Sequence, residues 1–286
     1  ILTGTSSNYM TPGEEYWVEI TLGEQNNQVT GMTVVSFELL FDNYARKYDK
    51  ECFVQGTVGE CDFIEQEIIR DKSFKIIDIG CGTGSSTLTL ARLLNAEITA
   101  VDFLQEFLDV LETRAQSAGV AQNISSVCAS MENLSFEAEE FDVIWSEGAI
   151  YNIGFKKGVA DWKRYLKSGG LLVVSEISWI TLTRPSEIQN YWENEYPEID
   201  MASSKIKVLE ENGYSPIGYF VLPEHCWLDN YYRPVQDGFE AFLKRNGKSE
   251  KAQAIVNAEK KEIALYEKYK AHYSYGVYIA IARKLV

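Results

Sequence analysis

The stretch that most constrains what this chain can fold into is Phe74 to Asp102, FKIIDIGCGTGSSTLTLARLLNAEITAVD. Lys75 to Ile79 is an apolar, β-branched run broken only by Asp78, the composition of a strand buried on both faces of a parallel sheet. Gly80, Gly82 and Gly84 follow, and Ser85 and Ser86 then open a helix whose Leu88, Leu90, Ala91 and Leu94 recur at helical spacing. Glu97 to Val101 is a second strand ending on Asp102. Glycine carries no Cβ and admits positive φ, so such a turn lets a ligand press against bare backbone at the start of a helix. Asp102 falls 18 residues beyond Gly84, at the carboxyl end of the neighbouring strand, where a carboxylate can accept both hydroxyls of a ribose. An ordinary tight connection would also use glycine, but strand, glycine turn, helix, strand and acid together predict a holder of an adenosine-bearing ligand.

The glycine spacing narrows the ligand. Dinucleotide folds favour G-x-G-x-x-G, whose helix N-terminus faces a pyrophosphate. Here the third glycine comes one residue early, as Gly80-Cys81-Gly82-Thr83-Gly84, with Asp78 two residues before the first. An acid there repels a pyrophosphate and suits the amino group of an amino acid. This D-x-G-x-G-x-G run resembles motif I of the class I S-adenosylmethionine-dependent methyltransferases. Phe141 to Trp145 (FDVIW) followed by Lys167-Ser168-Gly169-Gly170-Leu171-Leu172-Val173-Val174 resembles later motifs of the same family, so the resemblance covers about residues 36 to 180.

The resemblance implies an α/β, Rossmann-like, seven-stranded and mostly parallel sheet with helices on both faces and one antiparallel strand near the C-terminus. It implies that Gly80, Gly82 and Gly84 line S-adenosylmethionine, that Asp78 lies near its methionyl end and that Asp102 holds the ribose. Cys81 and Phe103 join them on the cofactor side. The turn after the third strand, Ser130-Met131-Glu132, covers the adenine in the family, often with an aspartate where Ser130 stands. Ser130 offers a hydroxyl instead and Met131 a soft apolar face. Glu147 and Tyr151 leave the carboxyl end of the fourth strand, where they are placed to meet both cofactor and acceptor. A helix N-terminal acid in favourable interaction with the helix dipole is the plainer account of Glu147.

Composition bounds the rest. The chain has 286 residues, 45% apolar and 13% aromatic, enough for one large domain. Lys and Arg total 27 against 42 Asp and Glu, a net charge of −15 that repels phosphate backbones and anionic membrane surfaces. Neither a nucleic acid nor a membrane is therefore expected as a partner. Five scattered cysteines (Cys52, Cys61, Cys81, Cys128, Cys226) form no C-x-x-C pair and, with two histidines, no zinc pattern. They fit reduced thiols of a cytosol, and Cys81 reads as a small turn residue rather than a nucleophile. The opening ILTGTSSNYM lacks the basic-then-apolar form of a secretory signal, and no apolar run approaches the roughly 20 residues of a bilayer span. A cytoplasmic protein, monomer or homodimer, is expected.

Along the chain, residues 1–31 read as a flexible leader or a marginal hairpin, Tyr16 to Leu22 against Val29 to Val35. Residues 32–72 read as helices over the active site: Phe37, Leu40, Phe41, Tyr44 and Tyr48 recur at three and four residues. The methyltransferase domain is placed at 73–286. Within it, Ser203 to Asn212 is a helix, and Tyr214 to Leu222 and Tyr275 to Lys284 are strands. Two segments stand outside this scheme as helical lid insertions, 184–200 and 223–273.

Chemistry follows from the donor. A sulfonium methyl is already activated, so the enzyme must align a nucleophile with it and exclude water. Aromatic faces near a sulfonium stabilise its charge, which makes Tyr44, Tyr48, Tyr151, Trp179, Trp192 and Trp227 candidate pocket residues. His225, in the loop after a sheet strand, is the candidate general base on its ordinary pKa, although a lone loop histidine is more often structural. Glu147 is the second catalytic candidate. The expected function is methyl transfer from S-adenosylmethionine to a small, partly apolar or aromatic acceptor, yielding S-adenosylhomocysteine. The alternatives are a non-catalytic S-adenosylmethionine sensor or scaffold and an NAD(P)-dependent oxidoreductase.

Overall fold

The computed structural model describes residues 74–94 and 96–283. The leader, the helices expected over residues 32–72, and with them Tyr44 and Tyr48, lie outside the described residues. The described chain opens on strand β1 (Phe74–Ile79), then α1 (Ser85–Leu93), β2 (Ala96–Asp102), α2 (Gln105–Ala118), β3 (Ile124–Cys128), β4 (Phe141–Ser146) and α3 (Phe155–Trp162). It continues through β5 (Leu166–Trp179), α4 (Ser186–Glu195), β6 (Asp200–Met201), α5 (Ala202–Glu211) and β7 (Tyr214–Val221). It closes with α6 (Glu224–Trp227), a π-helical turn at Leu228–Tyr232, α7 (Arg233–Arg245), α8 (Glu250–Tyr269) and β8 (Tyr273–Ala282).

The sheet runs β3-β2-β1-β4-β5-β8-β7, with the two-residue β6 added beside β5. Seven strands were expected, and the eighth is this short addition. Strands β1 to β5 are parallel, and β8 is antiparallel to both β5 and β7. That is the expected single antiparallel strand, inserted between two others, with α6 to α8 spanning the connection from β7 to β8.

Among the described residues, two of the apolar clusters bear on the site. Ile77 and Ile79 of β1, Ile144 of β4 and Leu172 and Val174 of β5 pack with Phe155, Val159 and Trp162 of α3 and Leu209 of α5 on one face. Asp78 alternates to the other face and meets Thr87 of α1 there. The second core lies on the far ends of β5 and β8, where Ile177, Trp179 and Tyr273 meet Ile188 of α4, Trp227 of α6 and Ile263, Tyr266 and Tyr269 of α8. The two inserted segments therefore share one core, an arrangement that neither could bury alone.

The strand expected over Leu171 to Ser175 extends from Leu166 to Trp179. Its register with β4 ends at Ser146 opposite Val174, whereas β8 pairs with it from Leu171 through Trp179. The overhang thus has β8 as its hydrogen-bonding partner along its whole length, and this carries residues 175–179 beyond the carboxyl end of β4.

Candidate active site

Backbone alone builds the turn between β1 and α1. Gly80 and Cys81 both donate to the Val101 carbonyl, at 2.8 and 3.0 Å, which pins the end of β1 to β2. Gly84 donates to the Cys81 carbonyl at 2.9 Å, and Leu88 donates to the Gly84 carbonyl at 2.9 Å to begin α1. Gly82 and Gly84 have φ of 54° and 83°, where a side chain costs about 1–2 kcal/mol. Their surroundings differ. A Cβ on Gly84 would meet Leu111 Cδ1 at 2.1 Å, so this glycine lets α2 pack close, whereas a Cβ on Gly82 would meet none of the described residues within 4 Å. Gly82→Ala is therefore expected to lose little beyond that backbone strain while weakening S-adenosylhomocysteine binding about tenfold or more, because the methyl enters the open space. Gly84→Ala should instead lose about 2 kcal/mol of stability through the clash. Urea unfolding beside calorimetry separates the two.

Asp102 braces this turn, its Oδ2 accepting from Gly82 N–H at 2.9 Å and its Oδ1 from Leu104 N–H at 3.0 Å. Asp78 is buried (1% exposed) and accepts from Thr87 Oγ1 at 2.5 Å. Burial lifts its pKa to about 7; the Thr87 bond opposes the rise, and the charges of Glu147 and Asp102 add to it. Glu147, the first residue past β4, is half-buried and accepts a short hydrogen bond from Ser86 Oγ on the first turn of α1. Three carboxylates thus surround the glycine turn. The Cys81 thiol, half-buried among them, is pushed far above its ordinary range by burial and then by Asp78 and Asp102. It stays protonated, which removes it as a nucleophile.

The adenine-side candidates fall around the same turn. Met131 is anchored by its carbonyl, which accepts from Trp162 Nε1 at 3.0 Å, and its Cε lies 3.4 Å from where a Cβ on Gly80 would stand. Ser130 Oγ accepts from the Glu132 N–H at 3.3 Å. Phe103 is 72% exposed at the corner after β2.

The candidate acceptor residues separate into two groups. Tyr151 is 42% exposed on the 3-10 turn Ile150–Asn152 and stands edge-on to Tyr196, ring centroids 6.3 Å apart. Tyr275 and Tyr231 lie instead against Trp227, ring centroids 5.0 and 6.5 Å away. Trp179 and Trp227, by contrast, are buried in the second core, and the partly buried Trp192 packs against it. Trp179 lies under Arg184 and against Tyr273, Trp192 against Tyr191 and Tyr273, and Trp227 between Tyr266 and Tyr275. Trp179 and Trp227 are thus enclosed in packing, a correction to the expectation that they are open to a ligand, whereas Trp192 keeps part of its surface exposed. His225 is half-buried on α6. Among the described residues, none of the hydrogen bonds that hold the glycine turn involves it. Tyr196, Tyr275 and Glu176 were not singled out from the sequence as site residues. The alternation Ser175-Glu176-Ile177-Ser178-Trp179 was the available signal, since it reads as a strand carrying an acid past the sheet edge.

No group of His, Cys, Asp and Glu suited to a metal ion occurs among the described residues, and no helix there is long and apolar enough to cross a membrane. Residues 76–170 match the family model described as a methyltransferase domain. The demethylmenaquinone methyltransferase of Staphylococcus aureus is 29% identical over 150 residues, a match spanning 50% of this chain and 61% of that relative. A methyltransferase from Geobacter sulfurreducens, solved with S-adenosyl-L-homocysteine, superposes with a TM-score of 0.70 at 18% identity, covering 86% of this chain and 98% of that one. The 4+2 cyclase SpnF superposes with a TM-score of 0.67 at 17% identity, covering 86% and 92%. At such identities the structural likeness speaks for the fold, and the family model speaks for the motifs set on it. The match over residues 76–170 identifies a methyltransferase domain in this chain, similar to those of the class I S-adenosylmethionine-dependent methyltransferases.

Proposed function

We propose that this protein transfers a methyl group from S-adenosylmethionine to a small, partly apolar or aromatic acceptor. The observation that carries the reading is the open space at Gly82, bounded by bare backbone and surrounded by Asp78, Asp102 and Glu147. Three carboxylates attract a sulfonium and an ammonium and repel the pyrophosphate of a nicotinamide dinucleotide. In this reading Asp102 takes the ribose hydroxyls, Met131 and Ser130 lie on the adenine side, and Glu147 with Asp78 face the methionyl end. Bound S-adenosylmethionine supplies the activated methyl. The protein's part is alignment and exclusion of water, and alignment of well-held partners is worth on the order of 7 kcal/mol or more. Tyr151 and Tyr196, edge-on to each other, offer an amphipathic edge that suits an aromatic acceptor, in keeping with the quinone-type substrate in the name of the Staphylococcus aureus relative.

The charge of −15 supports a small molecule rather than a nucleic acid as partner. Thiols at Cys81 and Cys128 that form no disulfide among the described residues support a reducing cytosol. Calorimetry with S-adenosylhomocysteine, followed by transfer of a labelled methyl across a panel of phenols, naphthols, quinols and aryl amines, tests the reading. Binding with turnover of at least one class is expected. No binding would reject the site, and binding without turnover across the panel would favour a sensor.

A further inference from the structure

The overhang of β5 holds a carboxylate that the reading above does not use. Glu176 is fully buried and stands opposite Gly276 of β8, which brings no side chain against it. Lys205 of α5 approaches one oxygen, Nζ to Oε1 3.3 Å, while also donating to the Glu198 carbonyl at 2.7 Å and lying over the Phe155 ring at 4.6 Å. Among the described residues, Oε2 accepts no hydrogen bond. An orphaned carboxylate oxygen is among the costlier arrangements in a protein interior, and it marks a place where a proton or a donor is expected.

Tyr196 supplies the link to the exposed Tyr151. It flanks the same ammonium as Glu176, its ring centre 5.3 Å from Lys205 Nζ, and the two groups shift each other's titration. The Tyr196 oxygen accepts from the Phe155 N–H at 3.3 Å, which leaves one lone pair and its own proton unassigned. Its ring meets the exposed Tyr151 edge-on. We propose that Tyr196 and Glu176 form the proton outlet of the acceptor pocket, and that the acceptor is an aromatic or apolar molecule bearing a hydroxyl or amino group.

As the acceptor's oxygen or nitrogen bonds to the methyl carbon, the carbon–sulfur bond breaks and its electron pair goes to sulfur. The acceptor's proton passes to the Tyr196 oxygen, and the Tyr196 proton passes to Glu176 Oε2, leaving a neutral acid. Tyr196 is the residue that touches the acceptor, and Glu176 acts through it. Burial lifts the Glu176 pKa to about 7, against the lowering effects of Lys205 and Tyr196, so the carboxylate can take a proton near neutrality. The groups facing this cluster are Lys205 of α5, Glu198 and Asp200 around β6, Tyr196 after α4, and Tyr275 and Tyr278 of β8.

The proposal rests on the methyltransferase reading, so S-adenosylhomocysteine binding is measured first. Its absence from the unaltered protein sinks that reading, whereas binding with no donor preference sinks only the proton outlet. With S-adenosylhomocysteine in excess, calorimetry then compares 1-naphthol with 1-methoxynaphthalene, which lacks the donor proton. The unaltered protein is expected to prefer the naphthol about tenfold or more near pH 8 and less than about threefold near pH 5.5. Tyr196→Phe should bind both alike, and Glu176→Gln should show one small preference at both pH values. Equal affinities near pH 8, no measurable naphthol binding, or an unchanged pH-dependent preference in either variant would overturn the proposal. Should Glu176→Gln fail to fold, Glu176→Gln with Lys205→Met removes the buried pair as a unit and takes its place.

Discussion

The Asp102→Ala variant is expected to bind S-adenosylhomocysteine about a hundredfold more weakly or worse. Two effects combine. Asp102 accepts from the Gly82 N–H at 2.9 Å and from the Leu104 N–H at 3.0 Å, so its carboxylate fixes the glycine turn before any ligand arrives. A carboxylate has roughly four acceptor positions, and two remain for the vicinal hydroxyls of a ribose. Hydrogen bonds to a charged acceptor contribute about 1.5–3 kcal/mol each, so losing two weakens binding by a factor of about 100 or more. Asp102→Asn keeps the shape and one acceptor atom, and about a tenfold loss is expected. Calorimetry on the two variants beside the unaltered protein gives the ratio; equal affinities across all three would show that the ligand does not sit against this carboxylate.

The path from β1 through the turn to Asp102 was legible because each step is local. A two-sided apolar run, residues that need positive φ, and a helical repeat each leave a mark within a few positions. The mostly parallel sheet and its antiparallel β8 followed from the family resemblance, which gave no strand order. What the sequence hides is which side chains from distant segments meet. Trp179, Trp192 and Trp227 read as pocket residues because an aromatic ring has the same composition whether it lines a cavity or fills a core. Only the pairing of the insertion holding α4 with the one holding α6 to α8 decides between them, and that pairing has no local signal. Glu176 was passed over for a related reason: its significance depends on Lys205 from α5 taking one oxygen and on Tyr196 packing against the same ammonium. These partners lie 29 and 20 positions further along the chain (205 − 176 and 196 − 176). The glycines show the same division, since the motif reads identically at Gly82 and Gly84 while only the three-dimensional surroundings assign one to open space and the other to Leu111.

The unliganded protein should become more stable on mild acidification, by about 3 kcal/mol between roughly pH 8 and pH 6. Asp78 and Glu176 are both buried, and burial raises each to about 7, from ordinary values of 3.8 and 4.5. A folded state with a raised carboxyl pKa binds more protons than the unfolded chain between those two values. Stability therefore falls as pH rises through that window, and the cost of keeping the carboxylate charged is fully present above about 7. One unit below the folded pKa, each group has recovered roughly 1 to 2 kcal/mol, and the two contributions add because they lie on different strands with different partners. Urea unfolding at the two pH values should show the difference directly, with Asp78→Asn and Glu176→Gln each removing about half of it. The same measurement with saturating S-adenosylmethionine separates the sites. A cationic ligand beside Asp78 favours its charged form and should shrink the Asp78 share, leaving the Glu176 share in place. A protein equally stable at both pH values would mean that both carboxylates are already charged in the fold at pH 6, and the buried acid in the β5 overhang would then have no proton to exchange near neutrality.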